Sequence, residues 1–442
     1  MRLEDFLKIN AEKYPQKTAV ICGDKSLTYS KLWKESLNLS LTFPQNKIVP
    51  FRASQSIEFL LTYFAIHLRG SVAAPLESNI SEEKFGEIAS KIEGCSFPEG
   101  SADILYTTGT TGISKGVIIS EKTILSNGEN LIEGHQFSED LAFVVSGPMN
   151  HIGSLSKIFP VIIKGATLII TDGIKDANQF FATFEYPFNR FATFLVPASI
   201  RMLIQFSSER LRAIAHKVDF IETGAAAISH DDMVKLANLL PNSRLYNTYA
   251  STETGIISTY NFNDGESIAG CLGKPMSHSQ IIITDSGTIS CKGDTLMSGY
   301  LGDKELTDKV LIDNTIYTSD IGYWDDKGRL RLVGRADDVI NVGGYKVAPT
   351  EVENAALEFP DIADCVCIAV PHPITGSAVK LIVVLKEQCV GEVKSYNRKK
   401  FIEISKFLSR KLEPYKIPLF FETAVEIKRT FNGKIDRKFY KQ

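Results

Sequence analysis

The sequence of 442 residues lacks the features that mark several classes of protein. Its seven cysteines form no Cys-x-x-Cys pair and no histidine cluster accompanies them, so neither a zinc site nor a disulfide framework is indicated. Cys365 and Cys367 alternate along one apolar run, as small hydrophobic residues on one face of a strand do. We therefore expect reduced thiols in the core.

A strong charge of one sign is also absent. Lysine and arginine number 49 against 52 acidic residues, and the resulting net charge of −3 gives no reason to expect nucleic acid or an anionic membrane as a partner. The longest apolar stretch, residues 59–68, is shorter than the roughly 20 residues that a membrane span needs. No apolar leader follows the charged first residues, so we expect a soluble, cytoplasmic protein without membrane insertion.

Helix and strand patterns alternate through the first half of the chain. An apolar helix over residues 59–68 precedes a short strand at 72–74, and the rhythm recurs through strands at 168–170, 220–221 and 245–246. This pattern predicts an open α/β sheet, which binds ligands at the carboxyl ends of its strands. From residue 279, short strands separated by glycine and aspartate predict a small β-rich subdomain.

A new unit begins after Arg335. There Thr350-x-x-Glu353 has the pattern of a capping box that opens a helix, and strand patterns follow at 364–370 and 379–385. About 100 residues suffice for a separate domain. The predicted fold class is therefore α/β, with a large amino-terminal domain of α/β sheet subdomains, a small β-rich subdomain, and a small α+β carboxy-terminal domain.

The most informative segment is residues 106–117, which read Tyr-Thr-Thr-Gly-Thr-Thr-Gly-Ile-Ser-Lys-Gly-Val. Glycine and hydroxyl residues are too frequent here for a packed element, so we interpret the segment as a phosphate-binding loop. Its glycines let backbone N–H groups point outward, its threonines and Ser114 supply hydroxyl donors, and Lys115 adds a positive charge. It is not a Walker loop, because Lys115 is followed by Gly116.

A second segment, residues 246–255, reads Tyr-Asn-Thr-Tyr-Ala-Ser-Thr-Glu-Thr-Gly. An apolar strand ends here in polar residues and one carboxylate, that of Glu253, and this placement favours a ligand site. Two interpretations stay open: Glu253 caps a helix, or it binds Mg2+ beside a triphosphate through a hard oxygen.

The third and fourth segments lie further along the chain. Asp320 can accept two hydrogen bonds from a ribose diol, and Arg335, in a Gly-Arg-Ala-Asp-Asp run, can donate to the same sugar or its phosphate. Near the end, residues 428–437 contain an Asn-Gly turn that presents Lys434. In isolation each of these features is also compatible with an ordinary surface turn.

Together and in this order, the four segments closely resemble the core motifs of the adenylate-forming superfamily, which includes acyl-CoA synthetases, luciferases and peptide-synthetase adenylation domains. The match runs from Tyr106 to Arg437. The resemblance implies an AMP-binding adenylation domain over residues 1–335 and a carboxy-terminal lid over residues 338–442 that carries the catalytic lysine. The lid would rotate about a hinge at 336–337 between two half-reactions.

The resemblance also implies roles for individual residues. Lys434 would bridge the carboxylate and the α-phosphate, Thr252 would touch the α-phosphate, Glu253 would bind Mg2+, and Asp337 would be the hinge. The other implied contacts are the pyrophosphate loop (Thr107, Thr108, Gly109, Thr110, Thr111, Gly112, Lys115), the adenine wall (Gly224, Ala225, Ala226), the adenine stacker (Tyr249), the ribose (Asp320, Arg335) and the approach of the thiol (Gly344, Lys346).

In this superfamily the segment after the phosphate loop contributes to the acid pocket. Here it reads Gly-Pro-Met-Asn-His-Ile-Gly-Ser-Leu over residues 147–155, which resembles the corresponding segment of acyl- and aryl-CoA ligases. The Phe-Asp pair of the amino-acid-activating branch is absent, and this disfavours an α-amino acid. His151 either flanks the carboxylate or gates the pocket as a catalytic residue, or is a hydrogen-bonded structural histidine.

Three departures from the superfamily pattern are visible. Ala250 replaces a usual glycine, and its methyl group would narrow the carboxylate end of the pocket. Ala225 and Ala227 replace a glycine and a proline, which would change the stiffness of the adenine loop. Only a short linker over residues 92–101 precedes the phosphate loop, so the amino-terminal lobe is trimmed.

The function implied by the resemblance is an ATP-dependent carboxylic acid:CoA ligase, an acid-thiol ligase that forms acyl-AMP, releases pyrophosphate and acylates CoA. ATP with Mg2+, a small carboxylic acid and CoA would be its ligands. The nearest alternative is an acyl-AMP ligase that loads the phosphopantetheine of an acyl carrier protein. A remote alternative is a non-catalytic protein that binds nucleotide or acyl-AMP.

Overall fold

The computed structural model describes residues 1–108, 114–174, 176–386, 393–429 and 435–440. Five residues assigned to the site by resemblance lie outside these ranges: Gly109, Thr110, Thr111, Gly112 and Lys434. Within the described ranges, no helix is both long enough and apolar enough to cross a membrane.

The strands of the described chain are β1 (Thr18–Cys22), β2 (Lys25–Thr28), β3 (Ile48–Ala53), β4 (Val72–Glu77), β5 (Ser101–Thr108), β6 (Ser114–Ser120), β7 (Ala142–Val145), β8 (Thr167–Ile170), β9 (Phe191–Phe194), β10 (Val218–Thr223), β11 (Arg244–Ser251), β12 (Gly255–Asn261), β13 (Cys271–Pro275), β14 (Ser279–Ile283), β15 (Thr288–Gly293), β16 (Gly299–Tyr300), β17 (Leu311–Ile312), β18 (Thr315–Trp324), β19 (Leu330–Arg335), β20 (Ile340–Val342), β21 (Tyr345–Val347), β22 (Ile362–His372), β23 (Gly376–Leu385) and β24 (Phe420–Thr423).

The helices are α1 (Leu3–Lys13), α2 (Tyr29–Ser40), α3 (Ile57–Leu68), α4 (Glu82–Ile92), α5 (Glu121–His135), α6 (Ile152–Lys164), α7 (Ala177–Ala182), α8 (Pro197–Ile214), α9 (His230–Leu239), α10 (Lys304–Val310), α11 (Pro349–Leu357), α12 (Val393–Leu408) and α13 (Arg437–Tyr440).

The largest sheet has the strand order β14-β15-β18-β19-β13-β12-β11-β10-β9-β7-β8-β1-β2, with β17 paired to β18. Its central part, from β11 to β1, is parallel throughout. The sequences of β7 and β8, Ala-Phe-Val-Val and Thr-Leu-Ile-Ile, are wholly buried, as expected for parallel strands covered by helices on both faces. The strands predicted at 168–170, 220–221 and 245–246 all lie in this part of the sheet.

The chain changes its direction of travel across the sheet at β7, because β8 lies on one side of β7 and β9 lies on the other. In open α/β sheets, ligands bind at such a switch point, outside the carboxyl ends of the strands. The segments that follow β7, β9, β10 and β11 therefore border the expected site.

The β-rich part predicted from residue 279 consists of antiparallel strands, among them β14, β15, β18 and β19. These strands continue the large sheet through β12 and β13. The subdomain is thus an extension of the main sheet, a continuity that short strand patterns in the sequence do not reveal.

A second sheet has the order β16-β6-β5-β4-β3 and contains the predicted phosphate loop. β5 and β6 form an antiparallel hairpin in which Tyr106 pairs with Gly116, Thr107 with Lys115, and Thr108 with Ser114. The prediction of a loop over all of residues 106–117 is therefore wrong at both ends. The threonines favour a strand, and backbone hydrogen bonding between the strands outweighs the weak strand propensity of the glycine there.

The carboxy-terminal sheet, β21-β20-β23-β22 with β24 parallel to β23, is built entirely from residues after 339. Helices α11 and α12 cover it, and its own core includes Val352, Leu381 and Leu408. Cys365 and Cys367 are buried in this core, as predicted, whereas Cys22 and Cys95 of the large domain are only half-buried. The expected fold class, a mixed α/β architecture with a large amino-terminal and a smaller carboxy-terminal domain, is confirmed.

The capping box predicted at Thr350 and Glu353 is wrong. Helix α11 begins at Pro349 after Ala348, and no side chain caps it. The Thr350 hydroxyl instead donates to the carbonyl of Val333 at 3.0 Å, and the Glu353 carboxylate accepts two hydrogen bonds from Arg437, at 2.7 and 2.8 Å. Both side chains make tertiary contacts that the local sequence pattern cannot anticipate.

Candidate active site

Tyr249, Asp320 and Arg335 come together at the junction of β11 with the antiparallel strands. The Tyr249 hydroxyl donates to Oδ2 of Asp320 at 2.7 Å. Asp320 and Arg335 are paired residues on β18 and β19, and Arg335 Nε lies 4.0 Å from Oδ1 of Asp320. Burial, and secondly the Asp320 carboxylate, raise the pKa of Tyr249 well above its ordinary value, so the phenol keeps its proton and donates.

The geometry around Asp320 suits a sugar diol. Its backbone N–H donates to the Thr318 hydroxyl at 3.0 Å within β18. One carboxylate oxygen is engaged by Tyr249, and the guanidinium of Arg335 stands near the other. A carboxylate has about four acceptor sites, so two hydroxyls can still bind to Asp320.

Glu253 lies in the hairpin turn between β11 and β12, four residues beyond Tyr249 in the same segment. The structure therefore excludes the interpretation of Glu253 as a helix cap. The Tyr300 hydroxyl donates to Glu253 Oε1 at 3.1 Å, and the Glu253 carbonyl accepts from the backbone N–H of Met297 at 2.8 Å. Burial, followed by the Glu253 carboxylate, raises the pKa of Tyr300, so this phenol is also a donor.

Tyr300 links Glu253 to the phosphate hairpin. The ammonium of Lys115 lies 5.5 Å from the centroid of the Tyr300 ring, within the range of a cation–π contact. Tyr300 belongs to β16, which pairs with β6 of the hairpin. Sequence analysis missed Tyr300, because its position follows only from the pairing of two strands far apart in the chain.

The residues around Glu253 fit a magnesium ion that arrives with a nucleotide. Within the described ranges there is no group of three or more His, Cys, Asp or Glu side chains able to hold a metal by themselves. Mg2+ in nucleotide sites is usually held by one or two carboxylates together with phosphates and water. A single carboxylate is the protein ligand expected for an ion that takes its other ligands from a triphosphate and water.

The proposed adenine wall follows the carboxyl end of β10. A Cβ added at Gly224 would lie 2.8 Å from the carbonyl oxygen of Thr248, so only glycine fits there without a shift of the backbone. Ala225 has φ of +66°, a left-handed conformation that costs a residue with a Cβ about 1–2 kcal/mol. Ala226 follows and is half-buried, and the close approach of Gly224 to Thr248 places the start of this loop beside β11.

The segment after β7 brings His151 to the same edge of the sheet. His151 occupies the N-cap position of α6, and its carbonyl accepts from the backbone N–H groups of Ser154 and Leu155. A Cβ at Gly147 would lie 2.4 Å from the Ser154 hydroxyl oxygen, so the segment after β7 packs closely against the first turn of α6. The role of the His151 side chain stays a prediction.

The remaining site residues belong to the smaller domain or to the connection between domains. Asp337 lies in a single 3-10 turn, Ala336–Asp338, between β19 and β20. Gly344 lies in the hairpin between β20 and β21, with φ of +96°, and donates its N–H to Asn341 Oδ1 at 2.8 Å. Lys346 is exposed on β21. The hinge, the thiol-lining roles and the proposed role of Thr252 stay predictions.

Comparison with known proteins identifies the family. A model described as AMP-binding enzyme matches residues 96–301, and a second, described as AMP-binding enzyme C-terminal domain, matches residues 351–434. The chain belongs to the adenylate-forming superfamily. The two matches lie in the amino-terminal and carboxy-terminal parts of the chain, and the domain bounds 1–335 and 338–442 stay predictions.

Curated relatives of this adenylate-forming protein include CoA ligases. A putative long chain fatty acid-CoA ligase of Staphylococcus epidermidis is 24% identical over 99% of this chain and 97% of its own length. A long-chain-fatty-acid–CoA ligase of Escherichia coli is 26% identical over 77% of this chain, and the matched part spans 61% of that ligase.

Among solved structures, an o-succinylbenzoate coenzyme A synthetase from Bacillus subtilis, in complex with ATP and magnesium ion, superimposes with a TM-score of 0.82. The two proteins are 19% identical, and the match covers 99% of each chain. This likeness supports the adenylate-forming fold over the full length of both domains.

Proposed function

We propose that this protein is an ATP-dependent carboxylic acid:CoA ligase. In the first half-reaction a carboxylate would attack the α-phosphorus of ATP to form acyl-AMP and release pyrophosphate. In the second, the thiol sulfur of CoA would attack the acyl carbon and AMP would leave. Membership in the adenylate-forming superfamily and the CoA ligases among its relatives support this proposal.

The observation that best supports the proposal is that Tyr249 and Glu253 lie on the same hairpin, β11–β12, and form hydrogen bonds with different residues. Tyr249 is bonded to Asp320, which is paired with Arg335, whereas Glu253 is bonded to Tyr300 near Lys115. The first group suits a ribose and the second suits polyphosphate with its metal ion. A nucleoside triphosphate extending between the two groups would satisfy both.

The chemistry requires charge neutralisation, because a carboxylate and a triphosphate repel each other. When bound with ATP, Mg2+ would reduce the negative charge on the phosphate oxygens. Lys115 and Lys434 would add positive charge at the departing pyrophosphate and at the attacking carboxylate respectively. Asp320 and Arg335 would fix the ribose, so that the α-phosphorus is held within reach of the acid.

For the second half-reaction, Lys434 would have to leave so that a thiol can approach the acyl carbon. We propose residues 1–335 as the adenylation domain and residues 338–442 as a lid that turns about Asp337. A change of φ and ψ at one hinge residue can produce such a rotation. It would also bring Gly344 and Lys346 to the thiol path and limit hydrolysis of the acyl-AMP.

The test is acid-dependent exchange of labelled pyrophosphate into ATP, followed by measurement of AMP release on addition of CoA. We expect exchange with at least one class of carboxylic acid, and AMP release that saturates with CoA. Glu253→Gln should reduce exchange by about 100-fold or more, while Glu305→Gln on exposed α10 serves as the matched control. ATP binding without exchange for any acid would contradict the proposal, and release that needs a carrier protein would favour the alternative acceptor.

A further inference from the structure

Lys157 of α6 and Glu222 of β10 form an ion pair that is almost completely removed from solvent. Lys157 Nζ lies 2.7 Å from Glu222 Oε1, and each side chain is only 1% exposed. Desolvation of two such charges costs several kcal/mol for each ion, and packed apolar residues would often be at least as stable. Burying this pair therefore costs more free energy than a purely structural role would require.

The pair lies at the switch point of the main sheet. Lys157 is one helical turn beyond Gly153 and shares its face of α6, and both approach the ring of Phe194 at the carboxyl end of β9. Lys157 Nζ is 5.1 Å from the ring centroid, and a Cβ at Gly153 would be 3.1 Å from Phe194 Cε1. Gly224, two residues beyond Glu222, reaches the same ring, with a Cβ position 3.6 Å from Cε2.

Hydrogen bonding at the pair is incomplete. Within the part of the chain that the structure describes, Glu222 Oε2 has no partner with the distance and angle of a full hydrogen bond, although the Thr248 hydroxyl lies near the carboxylate. The nearest basic group is the buried Nδ1 of His135, 3.6 Å away, and this atom also has no partner there. Burial, and secondly the positive charges of Lys157 and Arg244, lower the pKa of His135 well below its ordinary value, so His135 is neutral and does not balance Glu222.

A buried acceptor without a donor is destabilising, so such groups are uncommon unless a ligand or water completes them. Here the acceptor lies beside an ammonium that has donors to spare. Because the pair is neutral as a whole, a second carboxylate on a ligand would be repelled by Glu222 and an ammonium by Lys157. A hydroxyl meets neither penalty, since it can donate to Glu222 Oε2 and accept from Lys157 Nζ.

We propose that Lys157 and Glu222 form the floor of the acyl pocket and select a compact carboxylic acid that carries a hydroxyl group at its far end. This inference rests on the proposed function, and names the substrate class of the same site. Phe194, half-buried between the pair and Gly224, would pack against the body of the acid. A long aliphatic chain would have to displace the ion pair, so such acids should be poor substrates.

The first test compares matched acids by pyrophosphate exchange: 3-hydroxybenzoate with benzoate, 4-hydroxybutyrate with butyrate, and dodecanoate as the long chain. We expect kcat/KM for at least one hydroxylated acid to exceed that of its unsubstituted partner by about tenfold or more, because a site built to bond a hydroxyl rejects the analogue without it. Dodecanoate should be the poorest. Preference for dodecanoate, or equal activity within both matched pairs, would overturn the inference.

The second test removes both charges together, since removal of one would leave its partner buried and unpaired. The double variant Lys157→Met, Glu222→Leu should lose the preference for the hydroxylated acid by about tenfold and gain activity with the unsubstituted one. The matched control, Lys304→Met with Asp308→Leu, removes an exposed pair on α10 and should keep the original ratio.

The outcomes separate the two proposals. Exchange by the wild-type protein with an unchanged ratio in the Lys157 and Glu222 double variant would overturn the pocket assignment and leave the ligase function standing. Failure of the wild-type protein to catalyse exchange with any acid, despite ATP binding, would overturn the proposed function and this inference with it. If the double variant does not fold, the wild-type comparison of matched acids still decides the question.

Discussion

Arg201 of the large domain and Asp364 of the smaller domain are joined by a hydrogen bond of 3.1 Å from Nη1 to Oδ1. Arg201 is itself held by Asp232 on α9, to which Nε donates at 3.0 Å and Nη2 at 2.8 Å. The other oxygen of Asp364 accepts from Nη2 of Arg429 at 2.7 Å. Asp364 therefore ties α8 to the segment that leads to Lys434.

Replacing Asp364 with alanine should loosen the smaller domain without unfolding either domain. The Arg201–Asp364 pair is about one-fifth exposed on both sides, so we expect its loss to cost about 1 kcal/mol and to change the population of this arrangement about fivefold. The measurement is the rate of trypsin cleavage after Arg335, in the connection between the domains. Asp361→Ala, which breaks a pair with Lys400 inside the smaller domain, is the control. Equal cleavage rates in wild type and both variants would contradict the prediction.

Lys434→Ala should separate the two half-reactions. If Lys434 acts only while the carboxylate attacks ATP, the variant should lose adenylation by orders of magnitude and retain thioester formation from supplied acyl-AMP. Pyrophosphate exchange measures the first step and CoA-dependent AMP release measures the second. Lys428→Ala, which removes another lysine of the same tail, should affect neither. Equal damage to both steps by Lys434→Ala would argue against its assignment to the adenylating arrangement.

Ala225→Gly should stabilise the large domain, since glycine adopts the left-handed conformation of residue 225 without a steric penalty. Relief of the strain should exceed the added entropy of the unfolded chain and leave a net gain of about 0.5–1 kcal/mol. The neighbouring variant Ala226→Gly is the control, because residue 226 does not have a positive φ and gains nothing from glycine. Urea unfolding of the three proteins would measure the differences; a loss of stability in both variants would refute the strain at Ala225.

The elements that sequence patterns predicted best are those whose local signal and tertiary environment agree. The apolar run predicted as a strand at 168–170 is the wholly buried β8, and the apolar helix predicted over 59–68 matches α3. The same agreement holds for the order of the functional segments, because strand ends place polar residues at one edge of an α/β sheet. Glu253 was singled out in this way, whereas the predicted role of Tyr249 follows only from the resemblance to the superfamily.

The side-chain contacts that could not be predicted are those between residues far apart in the sequence. Tyr300 reaches Glu253 only because β16 pairs with β6, and Glu353 meets Arg437 across the whole smaller domain. Lys157 offered one local signal, a lysine in the middle of the mostly apolar α6. Its partner Glu222 could not be named from that signal, because their contact requires the parallel order of the sheet.

His67 lies between two buried carboxylates in the amino-terminal lobe. Nδ1 of His67 is 2.8 Å from Glu4 Oε1, and Nε2 is 3.0 Å from Asp103 Oδ1. The other carboxylate oxygen of Asp103 accepts a hydrogen bond from the Tyr63 hydroxyl at 3.0 Å. Burial opposes the charged imidazole, but Glu4 and then Asp103 outweigh it and raise the pKa of His67 to about 10. The imidazolium is therefore the folded form at neutral pH.

His67→Gln should reduce stability most at neutral pH and below. Since the folded pKa lies above the unfolded value of about 6.5, the contribution of His67 is complete below that value and is lost as pH rises toward 10. Breaking the buried pairs should cost on the order of 3 kcal/mol at pH 6, and the difference from wild type should shrink steadily by pH 10. His278→Gln, which breaks a more exposed pair with Glu129, should show only a small difference throughout. Urea unfolding from pH 6 to 10 would measure this, and a gap for His67→Gln that does not change with pH would mean that its imidazole is neutral in the folded protein.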